Sequence, residues 1–183
     1  MNTPSFRVSF PNVFTAKYNE LSKKEEYSIV ALFSKGTDLA PMKAAAKEAC
    51  VAMWGADQTK WPKNLKSPFR DQAEKKREDG TYPSGMEEGG VFMNLKSKNK
   101  PAVFDQIVQL IINPEDFYPG CYAIATINAY AYDQAGNRGV AFGLNDLQKV
   151  GEGEKFSGRA APGSGFVPVA DDRPTSKEEK LPF

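Results

Sequence analysis

Two long runs, residues 122–132 and 139–150, alternate side chains with a period of two and are joined by Asp133-Gln134-Ala135-Gly136-Asn137-Arg138. That pattern commits this part of the chain to an antiparallel hairpin, because a strand turns successive side chains to opposite faces and Gly and Asn suit the connection. Which face meets a core stays open. Tyr122, Ile124, Thr126, Asn128, Tyr130 and Tyr132 share one side, and Ala123, Ala125, Ile127, Ala129 and Ala131 share the other. Both sides are partly apolar.

Other segments supply partners for the hairpin. Phe6-Arg7-Val8-Ser9-Phe10 alternates and reads as a strand stopped by Pro11-Asn12. Residues 27–33 and 91–96 carry strand signals, and 104–112 reads equally as a short helix or a strand. Residues 42–54 form the one clear helix, with Thr37 or Asp38 to cap it, Pro41 in its first turn and Gly55 to end it. Residues 56–90 show no sustained period, and a loop of that length in a compact domain is usually functional. From Gly151 onward Gly, Ser, Pro and charged residues take over, so the fold is expected to end near Phe156. The division expected is a domain at 1–156 and a flexible linker and tail at 157–183. The fold class expected is mainly β with one packed helix, an antiparallel five-stranded barrel of the oligonucleotide-binding (OB) type with long loops and a disordered C-terminal tail.

The 183 residues include no histidine, which removes His-based triads and HExxH metal sites. The two cysteines, Cys50 and Cys121, are too few for a zinc cluster and read as buried free thiols. Gly89-Gly90 lacks the Lys-Ser/Thr that completes a P-loop. No catalytic residue, metal or cofactor is expected. Without a signal-peptide core or an 18-residue apolar run, the chain reads as soluble and cytoplasmic, with no membrane partner. Residues 1–170 hold 21 basic and 19 acidic side chains, so affinity for a polyanion must come from where charge sits.

Three constellations put cations beside aromatics. Lys60-Trp61-Pro62-Lys63-Asn64-Leu65-Lys66-Ser67-Pro68-Phe69-Arg70 interleaves four cations with two rings. Single-stranded nucleic acid calls for this pairing, since bases stack on rings while Lys and Arg follow phosphates. Trp61 and Phe69 can equally anchor a solvated loop to the core. In the strand at 91–96, Val91, Met93 and Leu95 are expected inward, and Phe92, Asn94 and Lys96 outward, with Lys98 and Lys100 extending the surface. Tyr130, Tyr132 and Arg138 at the hairpin tip can stack bases or roof the end of the fold. The carboxylates Asp71, Glu74, Asp79, Glu87 and Glu88 could hold Mg²⁺ for a nuclease, but their spacing matches no metal loop and they alternate with Lys75, Lys76 and Arg77.

The C-terminal residues 171–183 are charged, contain Pro and close on Leu181-Pro182-Phe183. Such a segment cannot bury enough surface to order itself. A flexible tether ending in a ring and a carboxylate suits docking onto a partner, and it resembles the acidic, Pro-Phe-ending tails of single-stranded DNA-binding proteins. Here Arg173, Lys177 and Lys180 dilute the acids.

Five ordered motifs strengthen that likeness: residues 27–33 before Lys35-Gly36-Thr37-Asp38-Leu39, Leu65-Lys66-Ser67-Pro68-Phe69-Arg70-Asp71, Asn94-Leu95-Lys96-Ser97-Lys98-Asn99-Lys100-Pro101, Phe117-Tyr118-Pro119-Gly120-Cys121-Tyr122 and Gly139-Val140-Ala141-Phe142-Gly143-Leu144-Asn145. Over roughly residues 5–156 the chain resembles a bacteriophage single-stranded DNA-binding protein family. The resemblance implies an OB fold without catalytic activity and a role in phage replication or recombination in the host-cell cytoplasm. It implies binding roles for Lys66, Phe69, Arg70, Phe92, Asn94, Lys96 and Lys98. The partners expected are single-stranded DNA, replication or recombination proteins through the tail, and further copies of the chain along DNA. The rival expectation is a phage metal-dependent nuclease or junction-processing enzyme using the loop carboxylates.

Overall fold

A computed structural model describes residues 1–20, 23–134 and 136–156. Among these residues seven strands and one α-helix occur in the order β1 (Phe6–Asn19), β2 (Lys24–Phe33), α1 (Ala40–Trp54), β3 (Arg70–Asp71), β4 (Val91–Ser97), β5 (Val103–Phe104), β6 (Tyr122–Gln134) and β7 (Asn137–Gly151). They form one sheet in the order β3-β4-β2-β1-β6-β7-β5. A further β4–β7 pairing links the five longer strands in a circuit, β1-β2-β4-β7-β6 and back to β1. The expectation of five antiparallel strands is corrected in two respects. Two-residue strands β3 and β5 are added from the loops, and β4–β7 and β5–β7 run parallel.

The hairpin forms as its alternation demands, pairing from Tyr122↔Gly151 to Gln134↔Asn137. Gly136 at its tip has φ 85°, which glycine adopts without steric cost. The open question of faces resolves clearly. Ala123, Ala125 and Ile127 pack inward with Val140, Phe142 and Leu144, leaving the tyrosine face of β6 outside.

Strand β1 does not stop at Pro11. It continues to Asn19 across a register shift between Ser9 and Asn12, so proline, which has no N–H to donate, sits where the ladder is interrupted. Alternation would place Phe10 with Phe6 and Val8. Instead Phe10 takes φ 45° and is 68% exposed. Residues 104–112 are neither helix nor continuous strand: after β5 the chain turns on Asp105, whose carboxylate accepts from Ile107 and Gln109 N–H.

Helix α1 buries Met42, Ala46 and Cys50, one stripe at i, i+4, i+8, and lies against β6. Leu39, not Thr37 or Asp38, takes the N-cap position and caps with no side-chain bond, although Asp38 one residue before it accepts the Ala40 N–H at 2.9 Å; Gly55 at φ 86° ends the helix by donating to Val51. The core between helix and strands includes Phe6 and Phe33 in edge contact at 5.6 Å. Both cysteines are buried and unbridged, and burial raises both thiol pKa values.

Candidate nucleic-acid interface

Register places the outward side chains of β1, β2 and β4 in rows. Arg7, Leu32, Phe92 and Arg70 form one, through Arg7↔Leu32, Leu32↔Phe92 and Arg70↔Phe92. Ser9, Val30 and Asn94 form the next. Asn12, Ser28 and Lys96 form the third, which continues through Lys96↔Gly143 and Gly143↔Asn128 onto the tyrosine face of the hairpin. Ile29, Ala31, Met93 and Leu95 point the opposite way into the core.

The parity expected for β4 is therefore present, but the accessibility expected of Phe92 is not. Phe92 is 3% exposed although it lies outside the main core cluster. The Arg70 guanidinium stacks 4.8 Å from its ring centroid and the Lys75 ammonium lies 5.8 Å away. Glu74 holds Arg70 in place at 2.5 Å. In the same segment the buried Gln72 amide donates to Phe33 and Val91 carbonyls and accepts from the Glu87 N–H. Residues 56–90 are thus not structureless. They include 3₁₀ turns at Gln58–Lys60 and Gln72–Lys75, together with β3.

Four of the five candidate carboxylates, Asp71, Glu74, Asp79 and Glu87, are engaged within the chain. Asp71 accepts from Ala73 N–H, Asp79 from Thr81, Glu74 pairs with Arg70, and Glu87 accepts the Lys35 N–H. Among the described residues no group of three metal-ligating side chains occurs.

The segment at 60–70 is held at both ends. Lys60 pairs with Asp57 at 3.4 Å, and the half-buried Trp61 donates its indole N–H to Gly55 and packs against the core. Further along, Lys66 N–H donates to Arg138 and its carbonyl accepts from Val140. Phe69 meets the core ring of Phe142 edge-on at 5.9 Å. The chain therefore fills the gap where β4 and β7 diverge, bonded to β7 at Lys66 and to β4 at Arg70. A Cβ on Gly139 would come within 2.5 Å of the Lys66 carbonyl and 2.9 Å of the Tyr132 hydroxyl, so this close approach needs glycine.

This threading joins the three constellations. Lys66, Tyr132 and Arg138 become neighbours. Tyr130, 43% exposed, has its pKa raised by burial first, then by the charges of Glu26 and Tyr132. Glu26 in turn binds Lys96 at 3.1 Å and accepts from Asn19. Arg138 is held by Asp133 at 2.8 Å. Asn94, Lys63, Lys66, Lys98 and Lys100 are exposed, and those four lysines form no ion pair among the described residues. Lys60 and Trp61 stand apart, beside the end of α1. Leu181, Pro182 and Phe183 lie outside the described residues.

Sequence reasoning passed over a groove beside Lys96. It encloses about 300 Å³ and is lined by Asn12, Lys17, Tyr18, Glu26 and Ser28. Tyr18 is 58% exposed. The Pro11-Asn12 break in the sequence marks the irregularity here, a register shift within β1 and not its end. Arg7 was also missed. It stacks 4.4 Å from Phe156 and 5.4 Å from Tyr122 and donates to the Gly120 and Glu154 carbonyls.

A mainly β protein with one helix, carrying cations and aromatics on its outer sheet face, is thus defined. The chain belongs to the family of the Enterobacter phage Enc34 ssDNA-binding protein, whose family model matches residues 1–178. It is 31% identical over 94 residues to protein p50 of Acyrthosiphon pisum secondary endosymbiont phage 1, a match covering 51% of this chain and 49% of that relative. The chain thus spans about half the length of that curated relative. Its fold is similar to the single-stranded DNA-binding protein of bacteriophage Enc34 in complex with ssDNA, at 18% identity and TM-score 0.65, covering 85% of this chain and 88% of the other. It is also similar to gp2.5, a single-stranded DNA-binding protein encoded by bacteriophage T7, at 12% identity and TM-score 0.55, covering 88% and 96%.

Proposed function

We propose that this chain binds single-stranded DNA without sequence preference and without catalysis. In this reading it coats the strand during phage replication or recombination. Family membership over residues 1–178 carries the proposal. The circuit of five longer strands is read as an OB-type barrel, with residues 1–156 as the binding domain and 157–183 as linker and tail. The Leu181-Pro182-Phe183 terminus recruits replication or recombination partners.

The outer face supports a two-part mechanism. Exposed rings such as Tyr130 offer stacking surfaces, and the amides of Asn94 and Asn128 offer hydrogen bonds to whichever base lies above them. Lys63, Lys66, Lys98 and Lys100 meet phosphates. Arg70, Lys96 and Arg138 already have carboxylate partners, so a phosphate gains little from them beyond an exchange of anions. About four phosphate contacts give a log–log salt slope near −2.8, taking −0.7 per contact on single strands.

The test is titration of a fluorescent oligo(dT) in Mg²⁺ at several salt concentrations, with the product run on a denaturing gel. Intact DNA, retarded binding and a slope between about −2 and −3.5 are expected. Shortened products would replace this reading with a nuclease. A flat salt response, or strong preference for one sequence, would overturn the mechanism.

A further inference from the structure

Phe10 is where the fold and the interface disagree about what a residue is for. By alternation it belongs with Phe6 and Val8, both buried. The chain instead adopts φ 45° there, a left-handed conformation that disfavours every residue with a Cβ, and leaves the ring 68% exposed. At 68% exposure the ring buries too little apolar surface to explain why the backbone adopts an unfavourable conformation there. Strain of this kind persists where the surroundings hold it, and it concentrates at functional positions. The surroundings do hold it. The Asn12 amide donates to the Phe10 carbonyl at 3.3 Å and to the Ser28 hydroxyl at 3.3 Å, tying the bulge to β2.

Its place in the sheet matters as much as its exposure. Phe10 falls between Ser9↔Val30 and Asn12↔Ser28, the positions that begin the Asn94 and Lys96 rows. Asn12 and Ser28 also line the groove that holds Tyr18, Lys17 and Lys96. An exposed ring therefore stands on the strand bordering a groove lined by the amides of Asn12 and Asn19, by Lys17 and Lys96, and by Glu20 and Glu26.

We infer that Phe10 is a base-stacking residue that sets the preference for single-stranded over double-stranded DNA. The inference rests on the single-strand-binding reading above. An unpaired base has a free face for the ring, whereas in a duplex the faces are already covered by neighbouring base pairs. Stacking thus adds affinity for the single strand alone. Phosphate contacts from lysines serve both forms and do not discriminate.

The experiment compares wild type, Phe10→Ala, Phe10→Gly and Phe10→Tyr on oligo(dT) and on a duplex of equal length, with melting temperatures for each. Phe10→Ala and Phe10→Gly should bind oligo(dT) about 5- to 150-fold more weakly, with duplex binding unchanged. Phe10→Tyr should keep wild-type affinity. Phe10→Gly should melt no lower than wild type, because glycine accepts the positive φ. If wild type binds oligo(dT) and Phe10→Ala binds it equally well, the inference fails and the binding reading stands. If both strands lose affinity together, Phe10 does not discriminate and the inference also fails. If wild type does not bind oligo(dT) at all, the binding reading itself fails.

Discussion

Replacing Phe92 by alanine separates burial from accessibility at a residue that both accounts single out. The ring is 3% exposed, so its removal loses transfer energy and leaves a void, which for phenylalanine costs about 3–5 kcal/mol. Two features move the figure to the lower end. Phe92 lies outside the main core cluster, and its cover is made of long side chains, Arg70 and Lys75, that can settle into the space. Their cation–π contacts disappear with the ring, at about 0.5–1 kcal/mol each for exposed cations. The expected loss is about 3–4 kcal/mol, a fall in Tm of about 6–16 °C at about 2–4 °C per kcal/mol for a chain of this size. Urea unfolding followed by circular dichroism should show a lower midpoint with an unchanged slope. Affinity for oligo(dT), measured well below both melting temperatures, should fall less than the loss of a stacked base predicts. A Tm within about 2 °C of wild type, combined with a tenfold loss of affinity, would show that the ring is open to DNA. The Arg70 roof would then be wrong.

Gly139→Ala should destabilise the protein by about 1–3 kcal/mol, because the new Cβ meets the Lys66 backbone carbonyl rather than a movable side-chain end; an unchanged Tm would refute the close approach. Glu152 has its pKa lowered by hydrogen bonds from Lys149 and then Tyr118, so the stability it contributes is present above the ordinary value of 4.5 and is lost as pH falls through its depressed folded value. The group is largely exposed and the effect small, so the Tm curves of wild type and Glu152→Gln should differ slightly at neutral pH and converge as pH falls through the depressed folded value; a constant offset down to low pH would contradict the pairing. Removing residues 171–183, or Phe183 alone, should leave Tm unchanged and abolish capture of replication proteins from infected-cell extract, whereas equal capture by all three baits would dismiss the tail as a docking element.

Long elements were legible where period and punctuation agreed. The hairpin and α1 follow from alternation and from the Pro41 and Gly55 boundaries, although the N-cap falls on Leu39 and not on Thr37 or Asp38. The rest depended on contacts between distant segments. Nothing local to Val91-Phe92-Met93 announces that Arg70 and Lys75, about twenty residues earlier, will close over Phe92. Nothing local to Lys66 announces that it will bond to Arg138 and Val140, since a single bridge leaves no period in the sequence. The hairpin faces were ambiguous because alanine on one side and isoleucine and tyrosine on the other are both partly apolar. What decides between them is room. Tyr132 stands opposite Gly139, Tyr130 opposite Ala141 and Asn128 opposite Gly143, so the small residues of β7 accommodate the large ones of β6 on the outside. Phe10 misled for the opposite reason, because a good alternating pattern continued one residue past the point where the backbone left it.

The distribution of charge on the outer face bears directly on how such a protein would work. Arg70, Lys96 and Arg138 are each held by a carboxylate from the same chain, Glu74, Glu26 and Asp133. Held in this way, the three side chains gain little from an approaching phosphate beyond an exchange of one anion for another. The carboxylates also subtract from the attraction, which suits a protein whose formal charge is only +1. A strand-coating protein would have to be displaced by the enzymes that follow it, and a surface on which carboxylates offset part of the cationic charge lets go more readily than a strongly basic cleft. On this view stacking supplies a large share of the affinity, and the lysines without a carboxylate partner among the described residues supply the salt dependence. A low salt slope and a strong dependence on exposed rings are then two consequences of one design, and they should be found together.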